Sequence, residues 1–487
     1  MNKHETTIAE ESLDPENWNS FRLLAHRAMD DILNYIRDAG ERPLWRKPSR
    51  YAINSMDQPV PELPQETEEV YEDFFNQVLP YNLPNMHPRF WAWVQGGGTP
   101  FGMLADMLAS GMNTNVSIGD HIPMYVDKQV IEWSKQMMGF PETASGMLTS
   151  GASIANITAL ITARNYFHAD IRSKGLHAAP GQLVMYGSAE THNCVFKAAE
   201  VIGIGSDFFR KIPVDDLYQV NTDLLKKAIE NDRREGLIPF CIVGNAGTVN
   251  TGAIDDLDEL SAIAKKENCW LHIDGAFGAI PKILPEFELQ LKAIEKADSL
   301  SFDFHKWMYM NYEVACVLIR DTNIHRNAFA YNVNYLLGHE RGISAGPDAF
   351  NNYGMELSRG FKALKVWMLL KEQGLEKYRR QVRQNIQQIQ YLASLIKNEP
   401  TLELLADPAL NIVCYRYNPG NLNDEELNMI NKEILMQLHE QAIAAPSYTM
   451  LKGRYAIRVA NTNHRSRQED FDALIKETIR IGKEISG

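Results

Sequence analysis

The stretch Ser301-Phe-Asp-Phe-His305-Lys306-Trp307 closes a short apolar run with a histidine and a lysine. Upstream, Cys269-Trp-Leu-His-Ile-Asp274 closes another apolar run with an aspartate. Residues 269–273 and 298–302 have the length and composition of buried strands, and 285–297 carry helical periodicity, so the segment is predicted as one βαβ unit. A crossover of this length joins parallel strands. Asp274 and Lys306 are therefore expected at the carboxyl ends of strands, the edge where open α/β sheets bind ligands.

The chemistry of the pair narrows the ligand. A carboxylate ending a buried run needs a cationic or hydrogen-bonding partner. A lysine in a dry site can shed its proton and act as an amine nucleophile. Pyridoxal phosphate uses both: its aldehyde forms a Schiff base with lysine, and its ring nitrogen stays protonated when a carboxylate faces it. Taken singly, Lys306 also reads as a solvated side chain and Asp274 as a cap for a helix opening at Gly275. The pairing across one unit is what points to the cofactor.

Around this unit strands and helices alternate: strands at 183–186, 208–212, 239–244, 269–273 and 299–302, helices from 193 and at 222–230, 256–266 and 285–297. That pattern predicts an α/β fold with a mostly parallel sheet and helices on both faces. A strand at 314–319 follows Lys306 too closely to be parallel. Ser150-Gly151-Ala152-Ser153 runs into a helix from Ile154, where free backbone N–H groups, the dipole and Ser153 can hold a phosphate; a plain serine cap is the alternative. His192 follows the strand at 183–186 and can stack on a planar cofactor or lie exposed in a first helical turn, and Gly247-Thr248 follows the strand at 239–244.

Composition excludes other classes. A net charge of −13 over 487 residues argues against nucleic acid or an anionic membrane as partner. The five cysteines are scattered without metal-ligand spacing, which suggests a reducing compartment and no metal. The start lacks an apolar leader and no run approaches the roughly 20 residues of a membrane span, so a cytoplasmic protein is expected. Residues 1–12 are polar; Trp18 to Ile36 repeat at helical spacing and prolines at 43, 48, 59, 61 and 64 follow, so 1–85 reads as an arm that packs on a second subunit. An aromatic strand then leads through Trp93 to Gly96-Gly97-Gly98, glycines that let backbone approach a ligand closely. Helical patterns follow at 100–110 and 125–138. The stretch 327–357, with Tyr331, Tyr335, His339, Phe350 and Tyr353, has no period and reads as a lid. A helical stretch at 359–397 leads to strands near 402–405, 411–417 and 455–460 and helices at 424–441 and 466–484. The predicted division is an arm (1–85), a large domain (86–365) and a small α+β domain (366–487).

Seven stretches in order resemble the pyridoxal-phosphate-dependent group II decarboxylases, the family of aromatic amino acid decarboxylase, from about residue 20 to the C-terminus. They are Asn85-Met-His-Pro-Arg-Phe90, Met103-Leu-Ala-Asp-Met-Leu108, Ser150 to Ser153, Thr191-His192, Trp270-Leu-His-Ile-Asp274, Asp303-Phe-His-Lys-Trp307 and Leu357-Ser-Arg-Gly-Phe-Lys-Ala-Leu-Lys-Val-Trp367. The resemblance implies a type I aminotransferase-like fold with a seven-stranded sheet and a homodimer with embracing arms. It implies that Lys306 is the Schiff-base lysine, that Asp274 partners the pyridine nitrogen, that His192 stacks on the ring and that Ala276 packs the opposite face. Ala152, Ser153, His305 and Asp303 are implied at the phosphate and Thr248 near the ring. The implied reaction is decarboxylation of an L-amino acid to the amine and CO2.

The chain departs from that pattern at two places. Counting back from Leu357-Ser-Arg, Phe350 stands where the family's proton-donating lid tyrosine is expected, which resembles the aldehyde synthases that make aldehyde, ammonia and hydrogen peroxide. Tyr353 and His192 are the other candidate donors. Trp93 matches the aromatic substrate wall, but Val94-Gln95 replaces the aromatic-proline pair expected after it; an aromatic substrate remains the expectation. An aminotransferase of the same fold would hold the substrate carboxylate with an arginine such as Arg458. A nucleotide-binding protein would need Gly203-Ile-Gly205 or the triple glycine as a phosphate loop, and neither carries the full fingerprint.

Overall fold

In the computed structural model, which describes residues 11–331 and 341–487, the apolar runs around Lys306 become the middle of a sheet. Tyr335 and His339 of the lid reading lie outside the described residues, as do the first ten residues of the polar start. The chain divides into two compact units, Met1–Leu83 and Pro84–Gly487.

Among the described residues, twelve strands form in the second unit. They are β1 (Phe90–Trp91), β2 (Ser145–Thr149), β3 (Leu183–Ser188), β4 (Phe209–Ile212), β5 (Ile238–Asn245), β6 (Trp270–Asp274), β7 (Ser299–Asp303), β8 (Ala315–Ile319), β9 (Leu402–Leu404), β10 (Ile412–Tyr417), β11 (Ala445–Leu451) and β12 (Arg454–Ala460). The large sheet has the order β2-β8-β7-β6-β5-β3-β4. Neighbours from β7 to β4 are parallel, whereas β8 is antiparallel to both β7 and β2. Its strands are buried on both sides and so read as continuous apolar runs: Ile242, Leu271 and Ile273 enter one core, and Cys241, Val243 and Trp270 the other. The helices Ala152–Phe167 and Asn193–Val201 cover the second face through Ala155, Ala159, Val195 and Ala198, and the helix Leu257–Glu267 covers the first through Leu260 and Ile263.

The predicted βαβ unit is present, with Asp274 in register with Ser301, but its crossover is not one helix. Prolines 281 and 285, which lack an N–H, cut it into short turns at Ile280–Ile283, Pro285–Phe287, Glu288–Leu291 and Lys292–Lys296. The seventh strand is β2, whose Ser-Gly start hid it from a reading based on apolar runs. The long helix is Ala363–Asn398, bent where Gly374 takes φ 66°.

The small sheet has the order β1-β11-β12-β10-β9 and a core of its own with Ile389, Val413, Leu438 and Ile457. The two residues of β1 join it by parallel pairing with β11, and Trp91 stacks on Phe471 at 4.7 Å. In the first unit Asn17 caps the helix Trp18–Arg37, Arg27 pairs with Glu68 and Glu72 at 3.0 and 2.9 Å, and the Tyr71 hydroxyl donates to Asp31. Trp18, Phe21, Leu23 and Leu33 remain exposed. No helix among the described residues is long and apolar enough to cross a membrane. All five cysteines are buried and unpaired, and among the described residues no cluster has the make-up of a metal site.

Candidate active site

Strands β6 and β7 end side by side, and their last residues carry the charges. Lys306 Nζ lies 2.9 Å from Asp303 Oδ2, with the lysine side chain 22% exposed and the aspartate buried. Burial works against the ammonium, but Asp303 and, beyond it, Asp274 outweigh that penalty and hold its pKa above the ordinary value. The Asp274 carboxylate is buried and accepts one N–H on each oxygen, from Asn156 Nδ2 and from the Ala276 backbone, both at 3.1 Å. Asp303 Oδ1 is buried and has no hydrogen-bond partner among the described residues.

The phosphate-binding candidates gather at the same edge. The helix Ala152–Phe167 opens after Gly151 without a side-chain cap, so its first N–H groups have no intrahelical acceptor. Ala152 is buried and Ser153 exposed. A Cβ at Gly151 would lie 3.9 Å from His305 Cε1, which sets that imidazole beside the helix start. His305 is fixed by contacts of Nδ1 with the Val314 backbone and by the Tyr312 ring; desolvation lowers its pKa. Thr248 is buried in the turn after β5, its hydroxyl 3.1 Å from that of Thr251. His192 caps the helix Asn193–Val201, accepting from Cys194 N at 3.3 Å, and is exposed. Desolvation lowers its pKa against the pull of Asp274.

The triple glycine approaches the protein itself. A Cβ on Gly96 would come within 2.4 and 2.5 Å of the carbonyl oxygens of His305 and Lys306, so only glycine allows this loop to lie on the lysine's turn. The loop's carbonyls are strapped down by a segment with no motif to single it out. Thr462 donates to Gln95, Arg465 to Gly97, and His464 meets Gly98 at 3.0 Å. Arg458 is buried, donating to the carbonyls of Trp93 and Asn250 and to Ser447 Oγ. Trp93 is 55% exposed at φ 55°.

The two lid candidates make contacts of their own. Phe350 is buried in the large core with its ring 4.9 Å from the Arg359 guanidinium. The Tyr353 hydroxyl donates to Asp348 at 2.7 Å, and its ring meets His325 at 5.1 Å. A cavity of about 550 Å³ between Trp133, Met137, Leu284, Leu370 and Arg379 contains none of the site residues.

Sequence reasoning also missed Asn156 and the pair Asn245–Asp255 at the end of β5, where Asn245 donates to Asp255 at 2.8 Å from both its backbone and its side chain. Asn156 did leave a signal: it is an amide in the buried stripe Ala152, Ala155, Asn156, Ala159, Ala163. Together the site offers an amine, a buried carboxylate that accepts only N–H donors, an unpartnered carboxylate oxygen, imidazoles and an uncapped helix start. That donor set fits a phosphate-bearing aldehyde with a basic ring nitrogen, as pyridoxal phosphate is.

Comparison with known proteins agrees with that set. The pyridoxal-dependent decarboxylase conserved domain matches residues 49–418. The chain is similar to aromatic-L-amino-acid decarboxylase from Bacillus atrophaeus, 33% identical over 475 residues that cover 96% of each chain. It is also similar to phenylacetaldehyde synthase from Arabidopsis thaliana, 26% identical over 459 residues, 92% of this chain and 93% of that one. Among solved structures, Oryza sativa TDC with PLP and tryptamine superposes with a TM-score of 0.89 at 22% identity, covering 98% of this chain and all of that one. That likeness bears on the fold, which is the expected type I aminotransferase-like architecture.

Proposed function

The chain belongs to the pyridoxal-dependent decarboxylase family, and from that membership we propose that it removes CO2 from an aromatic L-amino acid and leaves the amine. Its cofactor is pyridoxal 5'-phosphate. The observation that carries the proposal is the convergence of Lys306, Asp303 and Asp274 at the ends of two adjacent parallel strands.

Lys306 would hold the cofactor at its aldehyde carbon and Asp274 at its ring nitrogen. His192 and Ala276 would lie against its two faces, Thr248 beside the ring, and Ala152, Ser153 and His305 at the phosphate. Asp303 would act in this shell through the lysine, because a carboxylate beside a phosphate is repelled whereas its Oδ2 is 2.9 Å from Nζ and holds the ammonium in place. When bound, the cofactor supplies a protonated ring that draws in the electron pair left at Cα as CO2 departs. Trp93, exposed beside the triple glycine, would form one wall for the substrate's ring.

A positioned acid must then protonate Cα. His192 is exposed, desolvation lowers its pKa, and it is the donor in this proposal. Tyr353 has its hydroxyl committed to Asp348. Phe350 was the ground for the aldehyde, ammonia and peroxide alternative. Its ring is packed on Arg359 in the core, and the amine reading stands first because the relative at 33% identity is an aromatic-L-amino-acid decarboxylase.

The division into arm, large domain and small domain belongs to this proposal and is supported by the compact first unit and the two sheets. So does a homodimer joined through the arm, supported by exposed Trp18, Phe21, Leu23 and Leu33. A cytoplasmic location is supported by five unpaired cysteines. The test supplies aromatic L-amino acids to the reconstituted enzyme in air and quantifies CO2, amine, aldehyde and peroxide. Amine equal to CO2, abolished in Lys306→Ala, is expected. Aldehyde and peroxide equal to CO2 would replace the amine reading, and no CO2 from any substrate would overturn it.

A further inference from the structure

We propose that Asn156 is the positioning residue for Asp274, and that a one-way chain of buried hydrogen bonds running Trp270, Ser299, His272, Asn156 turns its amide so that it can only donate to that carboxylate. The proposal rests on the reading of Asp274 as partner of the ring nitrogen and deepens it.

The polarity of the chain is decided at its carboxylate end. An indole N–H only donates, and Trp270 Nε1 donates to Ser299 Oγ at 2.8 Å. Ser299 Oγ lies 2.8 Å from His272 Nδ1. His272 is fully buried, and desolvation lowers its pKa to about 3, so the ring is neutral and only one of its nitrogens carries hydrogen. Its Nε2 is 2.8 Å from Asn156 Oδ1.

Two polarities of this set are conceivable. In the first, Ser299 gives its proton to Nδ1, Nε2–H donates to Asn156 Oδ1, and Asn156 Nδ2 faces Asp274 Oδ2 at 3.1 Å. In the second, Nδ1–H donates to Ser299, the amide is turned over, and Asn156 Oδ1 faces the carboxylate, acceptor against acceptor. An ionised Asp274 admits only the first. The Ser301 hydroxyl, which also contacts this amide, can donate or accept and fits either polarity. Buried chains of this kind polarise one another, and one reversed member costs the whole set.

The surroundings leave Asn156 alone in this role on its side of the carboxylate. The Ala276 backbone N–H occupies the other oxygen. The charged and titratable groups facing Asp274 are His192 and Cys194 from the start of the helix Asn193–Val201 and Lys306 and Asp303 from the turn after β7. Cys194 receives a second contact from Asn156 Nδ2 at 3.3 Å, and desolvation raises its pKa to about 12, so it stays a neutral thiol.

The experiment loads the holoenzyme with cofactor isotopically labelled at the ring nitrogen and reads that nitrogen's protonation by NMR without substrate, alongside the cofactor dissociation constant. Asn156→Leu is expected to raise the neutral fraction of the ring nitrogen and to weaken cofactor binding about tenfold, the effect of one hydrogen bond to a charged group. His272→Leu should act in the same direction, whereas His272→Gln, whose amide can still donate to Asn156 Oδ1, should restore the wild-type signal. Folded Asn156→Leu with wild-type protonation and affinity would overturn the proposal. If that variant does not fold, the His272 pair decides, and His272→Leu indistinguishable from wild type would overturn it. Asp274→Ala separates the two levels of the reading: a ring nitrogen still protonated there removes Asp274 from its role, whereas a response in Asp274→Ala with none in Asn156→Leu removes Asn156 only.

Discussion

Two neutral imidazoles make the stability of this protein depend on acid. His272 and His325 are fully buried, and desolvation lowers both pKa values to about 3 from an ordinary 6.5. Between those values the unfolded chain binds protons that the folded chain refuses, so stability rises with pH through that window and is lost as pH falls below 6.5. Each histidine contributes a slope of about 1.4 kcal/mol per pH unit there. Thermal melts of wild type and His325→Gln from pH 7 downward test this: the variant should show the shallower decline, and parallel curves would contradict it. Gly96 gives a second prediction, since a Cβ there would strike the carbonyl of His305 at 2.4 Å. Gly96→Ala should cost about 1–3 kcal/mol of stability, as overpacking does, and weaken cofactor binding by displacing the lysine's turn. Denaturant titration and cofactor titration measure the two effects. The placement of Lys306, Asp274, Ala152 and Ser153 at strand ends and a helix start was legible in the sequence, because each follows an apolar run or opens a helix. Asn156 was not, because its partners His272 and Ser301 lie 116 and 145 residues along the chain and meet it only once β6 and β7 pair beneath its helix.

Elements with one strong period were legible; those shaped by their neighbours were not. The parallel strands are buried on both faces, and their apolar runs announced them. β2 is an edge strand that begins Ser-Gly and is paired with β8 alone in the large sheet, so its pairing, rather than its composition, makes it a strand. The crossover before β7 kept its helical period in sequence but is broken by two prolines that remove main-chain donors. The helix Ala363–Asn398 shows the opposite case: its period continues across Gly374, yet φ 66° there bends it, a conformation that side chains disfavour. Gly374→Ala should therefore destabilise the protein by about 1–2 kcal/mol although alanine is the better helix former. Urea unfolding measures it, and a stabilised variant would mean that the bend is not required.

For the whole molecule, the exposed apolar residues of the first unit are the feature that a single chain does not explain. Monomeric proteins rarely leave such clusters uncovered, and Trp18, Phe21 and Leu23 all stand exposed on one helix. Replacing all three by serine should shift the protein toward monomer in sedimentation, with secondary structure retained; an unchanged mass would set the arm reading aside. Decarboxylation requires the assembled site to break the bond between Cα and the carboxyl group and to spare the Cα–H bond. The most direct measurement is mass spectrometry of products and recovered substrate after turnover of an aromatic L-amino acid in D2O. Decarboxylation predicts an amine carrying one carbon-bound deuterium at Cα, beside recovered amino acid that keeps its own hydrogen. Recovered amino acid with deuterium at Cα and an intact carboxyl group, and no amine, would show that the Cα–H bond is the one broken and would contradict the account.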